Sequence, residues 1–368
     1  MNARQHARGE DVPNDSEELP PSIEVRNLTK EFRRPRRRSG RFAAVRTLLA
    51  TDHEVVRAVD DISFTVRAGE AVGCIGSNGA GKSTTIKMLT GVLAPTSGTV
   101  RLDGRDPAGA RKETARRIGV VFGQRSQLWW DLPLVESLEL VADIHGVEPA
   151  RYRRNLARAE AVLGLSDFLT TPVRQLSLGR RVRGDLAAAV LHDPAVLFLD
   201  EPTIGLDVHT RDRVIDFVRS LNGEQGTTVV LTTHDLADIE RLCRRVILID
   251  AGSIAYDGTV TRLKAAYRAR RTLTVTYDAV EAGDAGSAVF AAGRTLGEGT
   301  VVEASPGRVR VALPASASAV PAILAEVGQR CAVTDLSIDE NSLENVVKEL
   351  YATEGGFEAL AAAEGADR

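Results

Sequence analysis

Residues Gly76-Ser77-Asn78-Gly79-Ala80-Gly81-Lys82-Ser83 match the pattern GxxxxGK[ST] at every fixed position. That pattern restricts the chain to a fold in which a strand ends, a phosphate-binding turn follows and a helix begins. The context agrees. Residues 70–75 are short and largely apolar, as in a parallel strand buried on both faces, and residues 82–93 have helical spacing. Glycines leave no Cβ between the backbone N–H groups and an oxyanion. The helix N-terminus adds partial positive charge. The Lys82 ammonium can reach β- and γ-phosphates, and the Ser83 hydroxyl can ligate Mg²⁺; Thr84 follows at the same helix start. A glycine-rich turn with an incidental lysine is the competing account, and the flanking strand and helix weigh against it.

Further strands are expected near 22–28, 56–66, 117–122, 195–200, 227–232 and 245–249, and residues 134–191 are mostly helical in pattern. Strands alternating with helices imply an α/β fold with a mostly parallel sheet, here a P-loop core over residues 22–263 with a helical subdomain at about 125–180. A basic block, Arg33, Arg34, Arg36, Arg37, Arg38 and Arg41, reads as an exposed loop because like charges repel. Residues 1–21 read as a disordered polar arm and 352–368 as a weakly ordered tail.

Past residue 263 the composition shifts towards Ala, Gly and Val. Strands are expected at 272–277, 301–304 and 308–313, helices at 280–291, 316–327 and 342–351, and an extended segment at 332–338. The first six form β-α-β-β-α-β, the order of a small ferredoxin-like α+β domain, placed over 270–351.

Composition narrows the function classes. The 368 residues are 43% hydrophobic and 26% charged, with a net charge of −3, so the whole molecule has no global attraction to nucleic acid. Three widely spaced cysteines, Cys74, Cys243 and Cys331, fit neither a disulfide framework nor a metal cluster; buried inert thiols in a reducing cytoplasm are the simplest reading. No apolar run approaches the roughly 20 residues needed to span a bilayer, and the N-terminus lacks a signal pattern. Work at a membrane would need a partner chain.

A second acidic motif follows the expected strand at 195–200, where Asp200 and Glu201 precede Pro202. Ligands in open parallel sheets sit at the carboxyl ends of strands. Asp200 would therefore help to hold Mg²⁺, and Glu201 would take a proton from the attacking water. A strand-terminating acidic turn is the alternative for the pair taken alone.

The phosphate loop, Gln124, Leu176-Ser177-Leu178-Gly179-Arg180, Asp200-Glu201, Gly205-Leu206-Asp207 and His234 occur in the order of the ABC ATPases, and the chain resembles that family from about residue 23 to 263. The resemblance implies that Gln124 contacts Mg²⁺ and senses a transmembrane partner. It implies that Ser177 and Gly179 bind the γ-phosphate of ATP held by an opposite subunit, and that Asp207 couples the two sites. It implies that His234 contacts the γ-phosphate and orients water. Phe32 stands where the family often stacks an aromatic on adenine, or else is an ordinary packed side chain. Leu178 and Arg180 depart from the usual LSGGQ signature; the serine and glycine that contact phosphate are retained, while Arg180 brings extra positive charge to it.

The stretches 122–133, 176–179 and 203–207 resemble ATPases paired with export permeases, and 336–344 resembles part of the C-terminal domain of drug-export ATPases or is a generic strand-to-helix turn. The implied assembly is a homodimer, or a pair of ATPase subunits, using ATP and Mg²⁺ on a separate transmembrane permease at the cytoplasmic membrane face. The helical region at 125–174 would face that permease, with Trp129 and Trp130 either lining the docking groove or packing the subdomain core. An importer ATPase, or an ABC ATPase without a transporter, is the alternative. No nucleic-acid partner is expected.

Overall fold

The structure, a computed structural model, describes residues 21–35, 53–123, 125–266, 272–278, 293–313, 319–339 and 342–352. The expected arm, most of the basic block, Gln124, the expected helix at 280–291 and nearly all of the tail lie outside them. The chain runs β1 (Pro21–Pro35), β2 (His53–Arg67), β3 (Ala71–Ile75), α1 (Lys82–Leu89), β4 (Ser97–Leu102), α2 (Arg111–Ala115), β5 (Ile118–Phe122), α3 (Leu134–His145) and α4 (Pro149–Leu163). There follow α5 (Leu178–Val190), β6 (Val196–Asp200), α6 (Val208–Gln225), β7 (Thr228–Thr232), α7 (Leu236–Leu242), β8 (Arg245–Asp250), β9 (Ser253–Thr259) and α8 (Val260–Ala266). The last part holds β10 (Thr272–Tyr277), β11 (Thr295–Leu296), β12 (Gly299–Ser305), β13 (Arg308–Ala312), α9 (Ala319–Gly328), β14 (Val333–Asp339) and α10 (Leu343–Ala352).

The apolar runs of the sequence form the six-stranded sheet β5-β6-β7-β3-β8-β9. Its first five strands are parallel, and β9 closes the edge antiparallel to β8. These strands are apolar throughout because both faces are covered. Leu197, Leu199, Val229 and Leu231 point into a cluster with α3, α5 and α6. Val196, Phe198, Val230 and Cys74 point the other way, onto α1 and the antiparallel sheet β2-β1-β4. The cassette therefore has three layers, with the parallel sheet in the middle.

Two local readings change. Arg33 and Arg34 are not in a loop: they extend β1, paired with Val55 and Glu54. The backbone pairing of β1 with β2 continues through both, and Arg33 is exposed to solvent. The helix after the phosphate loop ends at Leu89 rather than 93, since Gly91 enters the left-handed region (φ 72°) and its N–H closes back on Met88. The three cysteines are free and buried; burial pushes the Cys74 thiol up to about 12 and raises that of Cys243, which keeps both protonated.

The C-terminal sheet has the order β11-β12-β13-β10-β14 with antiparallel neighbours. β13 lies between β10 and β12, the arrangement of a split β-α-β unit. Ile323 and Val327 of α9 pack with Leu273, Val275, Val309 and Val311 in a core of their own. α9 tolerates Pro321 because the first helical turn needs no backbone donor. The last helix departs from the domain expected over 270–351. Leu343, Val346 and Leu350 of α10 are buried in the cassette cluster, not against the C-terminal sheet.

Leu197 is fully buried in β6, an interior strand of the parallel sheet. Leu197→Ala is expected to lower unfolding stability by about 2–5 kcal/mol, the usual range for a large-to-small core change, measured by denaturant unfolding; a loss near zero would show that the site is not close-packed.

Candidate nucleotide site

The strand order creates the site. The carboxyl ends of β3, β7 and β6 stand side by side, within two strand spacings of about 5 Å each. β3 carries the phosphate loop, β7 carries Thr232 and leads to His234, and β6 carries Asp200 and leads to Glu201. Motifs far apart in the chain thus converge because their strands are neighbours.

The loop needs glycine at two points where packing leaves no alternative. A Cβ on Gly76 (φ 153°) would lie 2.1 Å from the Ile249 carbonyl oxygen. A Cβ on Gly81 (φ 113°) would lie 2.5 Å from that of Ala58, on β2. Gly81 is the left-handed N-cap of α1. Gly79 and Ala80 complete the turn, with Ala80 buried. Lys82 is 6% exposed, and its Nζ donates to the carbonyls of Gly76 (2.7 Å) and Ser77 (3.0 Å). Burial lowers its pKa, opposed by the nearby Glu201 and Asp200 carboxylates.

Asp200 collects two hydroxyls. Ser83 Oγ donates to its Oδ1 at 3.3 Å and Thr232 Oγ1 at 2.5 Å. Hard oxygen donors of this kind suit Mg²⁺, which is held by one or two protein ligands together with substrate phosphates rather than by an all-protein cage.

Glu201 adopts φ 56°, a left-handed conformation that costs a non-glycine residue of the order of 1–3 kcal/mol. The strain is held in place from two sides. Its N–H donates to Thr232 O at 2.9 Å. Gly123 packs against its carbonyl so closely that a Cβ there would come within 2.2 Å. The result turns the Glu201 side chain to His234, with Nε2 and Oε1 2.6 Å apart. Ser83, Asp200, Glu201, Gly123, Phe122, Lys87, Val92 and Arg125 line a cavity of about 340 Å³ beside the loop.

The remaining expected residues form a separate group. Ser177 caps α5, its Oγ accepting from the Arg180 N–H at 3.4 Å. Asp207 caps α6, accepting from Thr210 N–H at 2.9 Å and Thr210 Oγ1 at 2.7 Å, bonds that lower its pKa. The two caps abut. A Cβ on Gly179 would meet Thr210 at 3.1 Å, and one on Gly205 would meet Leu178 at 3.0 Å. No side-chain hydrogen bond joins this group to the phosphate loop, Asp200, Glu201 or His234 among the described residues. Arg180 lays its guanidinium over the Phe168 ring at 5.5 Å, with Arg183 at 4.8 Å.

Phe32 stands on β1 opposite Val56, with Lys30 Nζ 5.4 Å from its ring centre. Trp129 and Trp130 are 40% and 52% exposed, so the core-packing alternative fails for both. Sequence reasoning gives Thr232 and Gly123 no role of their own. Thr232 was legible as the last residue of a strand one position from the Thr233-His234 turn, whereas the closeness of Gly123 to Glu201 depends on the pairing of β5 with β6.

A family model described as ABC transporter matches residues 59–204. The daunorubicin resistance ATP-binding protein DrrA3 of Streptomyces coeruleorubidus is 40% identical over 63% of this chain and 72% of its own length. The chain belongs to the ABC transporter ATP-binding family. The methionine import ATP-binding protein MetN of Latilactobacillus sakei is 34% identical over 56% of this chain and 61% of its own length. Among solved structures, the dimeric post-hydrolysis state of an ATP-binding cassette bound to ADP and Pi is similar with a TM-score of 0.53 and 26% identity, over 65% of this chain and 98% of that one. Membership explains the P-loop fold with its mostly parallel sheet. No helix among the described residues is long and apolar enough to cross a membrane.

Asp185, on α5, ties the α5 helix to the loop before α3. Its Oδ1 accepts from Ser126 Oγ and Gln127 N–H, both at 2.9 Å. Burial pushes its carboxyl up to about 6. The folded state therefore binds a proton more readily than the unfolded state between about pH 4 and 6, and this residue's contribution to stability falls as pH rises through that window. Asp185→Asn, a neutral isostere, should remove that part of the slope; equal pH dependence of unfolding in both proteins would contradict it.

Proposed function

We propose that the chain is the ATP-hydrolysing subunit of an exporter, working as a pair of copies on a separate permease at the cytoplasmic face of the membrane. The carrying observation is the division within one chain. The phosphate loop, Asp200, Glu201 and His234 form one group, and Ser177, Gly179 and Asp207 form another with no side-chain bond between them. A two-fold pair laid head to tail supplies each site with one group from each copy. The solved dimeric cassette supports this arrangement.

In that reading Gly76, Ser77, Asn78, Gly79, Ala80, Gly81, Lys82 and Thr84 hold the nucleotide phosphates. Ser83 and Asp200, with Gln124, hold Mg²⁺, which neutralises charge on the phosphates. Glu201 accepts the proton of the attacking water, and His234 keeps the carboxylate oriented. Ser177 and Gly179 meet the γ-phosphate from the opposite copy, aided by the positive end of the α5 dipole. Phe32 stacks on adenine. Closing on ATP and parting after hydrolysis is a ligand-driven shift between two states. Residues 22–263 form the ATPase unit, and 270–351 an accessory one whose last helix has been recruited to the ATPase.

The drug-resistance relative and the export-like stretches favour export. The exposed Trp129 and Trp130 suit a permease contact, since large aromatics anchor interfaces. Import is the second reading, favoured by the methionine import relative; copurification and identification of the permease decides between them.

Glu201→Gln should reduce ATP turnover by roughly 100-fold or more, as removal of a general base does, and should accumulate an ATP-bound dimer visible by size-exclusion chromatography with light scattering. Turnover at the normal rate would overturn the base assignment.

A further inference from the structure

The last helix ends on the phosphate loop. α10 is fixed at its start by Ser342, whose Oγ accepts from Asn345 N–H at 3.3 Å, and by Glu240 on α7, whose carboxylate accepts the Leu343 N–H. Its buried face is Leu343, Val346 and Leu350, each at most 1% exposed and packed in the cassette cluster. Positions spaced by three and four lie on one face of a helix, so anchoring that face aims the far end. There the Ser77 N–H donates to Tyr351 Oη at 3.1 Å, across 274 residues of sequence. Burial raises the pKa of that phenol, and the Asp250 carboxylate at the end of β8 is close enough to help raise it. Lys82 Nζ grips the Ser77 carbonyl at 3.0 Å. Ser77 is therefore held on its N–H by the C-terminal helix and on its C=O by the phosphate-loop lysine.

We infer that Tyr351 is a positioning residue of the nucleotide site: its hydroxyl fixes the leading edge of the phosphate loop, so that docking of the last helix and affinity for nucleotide phosphate are one linked equilibrium. The inference rests on the nucleotide-site reading above. A glycine-rich segment has much backbone freedom to lose on binding, and a bond that orders it beforehand lowers that loss. Linkage is reciprocal, so whatever the docked helix adds to nucleotide affinity, bound nucleotide adds to helix docking. Three residues of sequence separate β14 from α10.

Tyr351→Phe keeps the ring and removes only the hydroxyl. Titration of the full chain with Mg²⁺-ATP should show affinity lowered about fivefold, the loss of one hydrogen bond of about 1 kcal/mol. KM should rise with it while kcat stays within about twofold, a split that general destabilisation would not produce. Hydrogen exchange should show ATP protecting residues 343–352 in the wild type and less so in the variant. A second variant, Leu343→Ala with Val346→Ala, should undock the helix and lower affinity to the same degree, with the ligand-free melting temperature recorded to exclude global unfolding. Lys82→Ala separates the two levels of the reading. If it binds ATP like the wild type, the nucleotide site itself is misassigned. If it fails to bind while Tyr351→Phe binds normally, or more tightly, with unchanged helix protection, the positioning role of Tyr351 is overturned.

Discussion

The pairing of β3 with β7 and of β7 with β6 is the constraint on which the rest depends. Each strand delivers one chemical part at its carboxyl end: a phosphate cradle, a hydroxyl and histidine, and a pair of carboxylates. None would be useful alone. The pairing is enforced by burial on both faces, because a slip of one residue would exchange the side chains packed on the helices with those packed on the antiparallel sheet. The stability of the middle layer is thus also the precision of the site.

The same architecture explains where strain is tolerated. Glu201 holds a conformation unfavourable for its residue type, and it does so at the junction of β6, β7 and the turn after β5. The backbone bond to Thr232 and the missing Cβ of Gly123 make the arrangement possible. Backbone strain of this kind persists only where the surroundings over-determine it, and here it lies beside the glycine-rich loop. Asp200 shows the complementary case: no strain, but two hydroxyls drawn to one carboxylate oxygen.

Much of this is legible in the amino-acid sequence. The phosphate loop announces its strand and helix, and the run before Asp200 announces a doubly covered strand. What stays hidden follows from tertiary placement. The spacing of Leu343, Val346 and Leu350 marks an apolar helix face, but the spacing does not say whether that face meets the C-terminal sheet or the cassette. Tyr351 gives no sequence signal at all, because its contact with Ser77 exists only through that docking. Arg33 and Arg34 mislead in the other direction: a charge run suggests a loop, whereas the backbone pairing of β1 with β2 carries on through both. The signature serine and Asp207 are visible as types and order, while their separation from the phosphate loop is a fact of the folded chain.

The central claim is that a working site takes its two groups from two copies. Mixing two inactive variants tests it most directly. Lys82→Ala lacks a working phosphate loop but keeps Ser177, and Ser177→Arg lacks the clasp but keeps Lys82. A mixed pair then contains one complete site and one doubly damaged one. The account predicts that ATP turnover, near background for each variant alone, reappears on mixing and grows with total protein concentration. Turnover in the mixture no greater than the average of the two alone would contradict it.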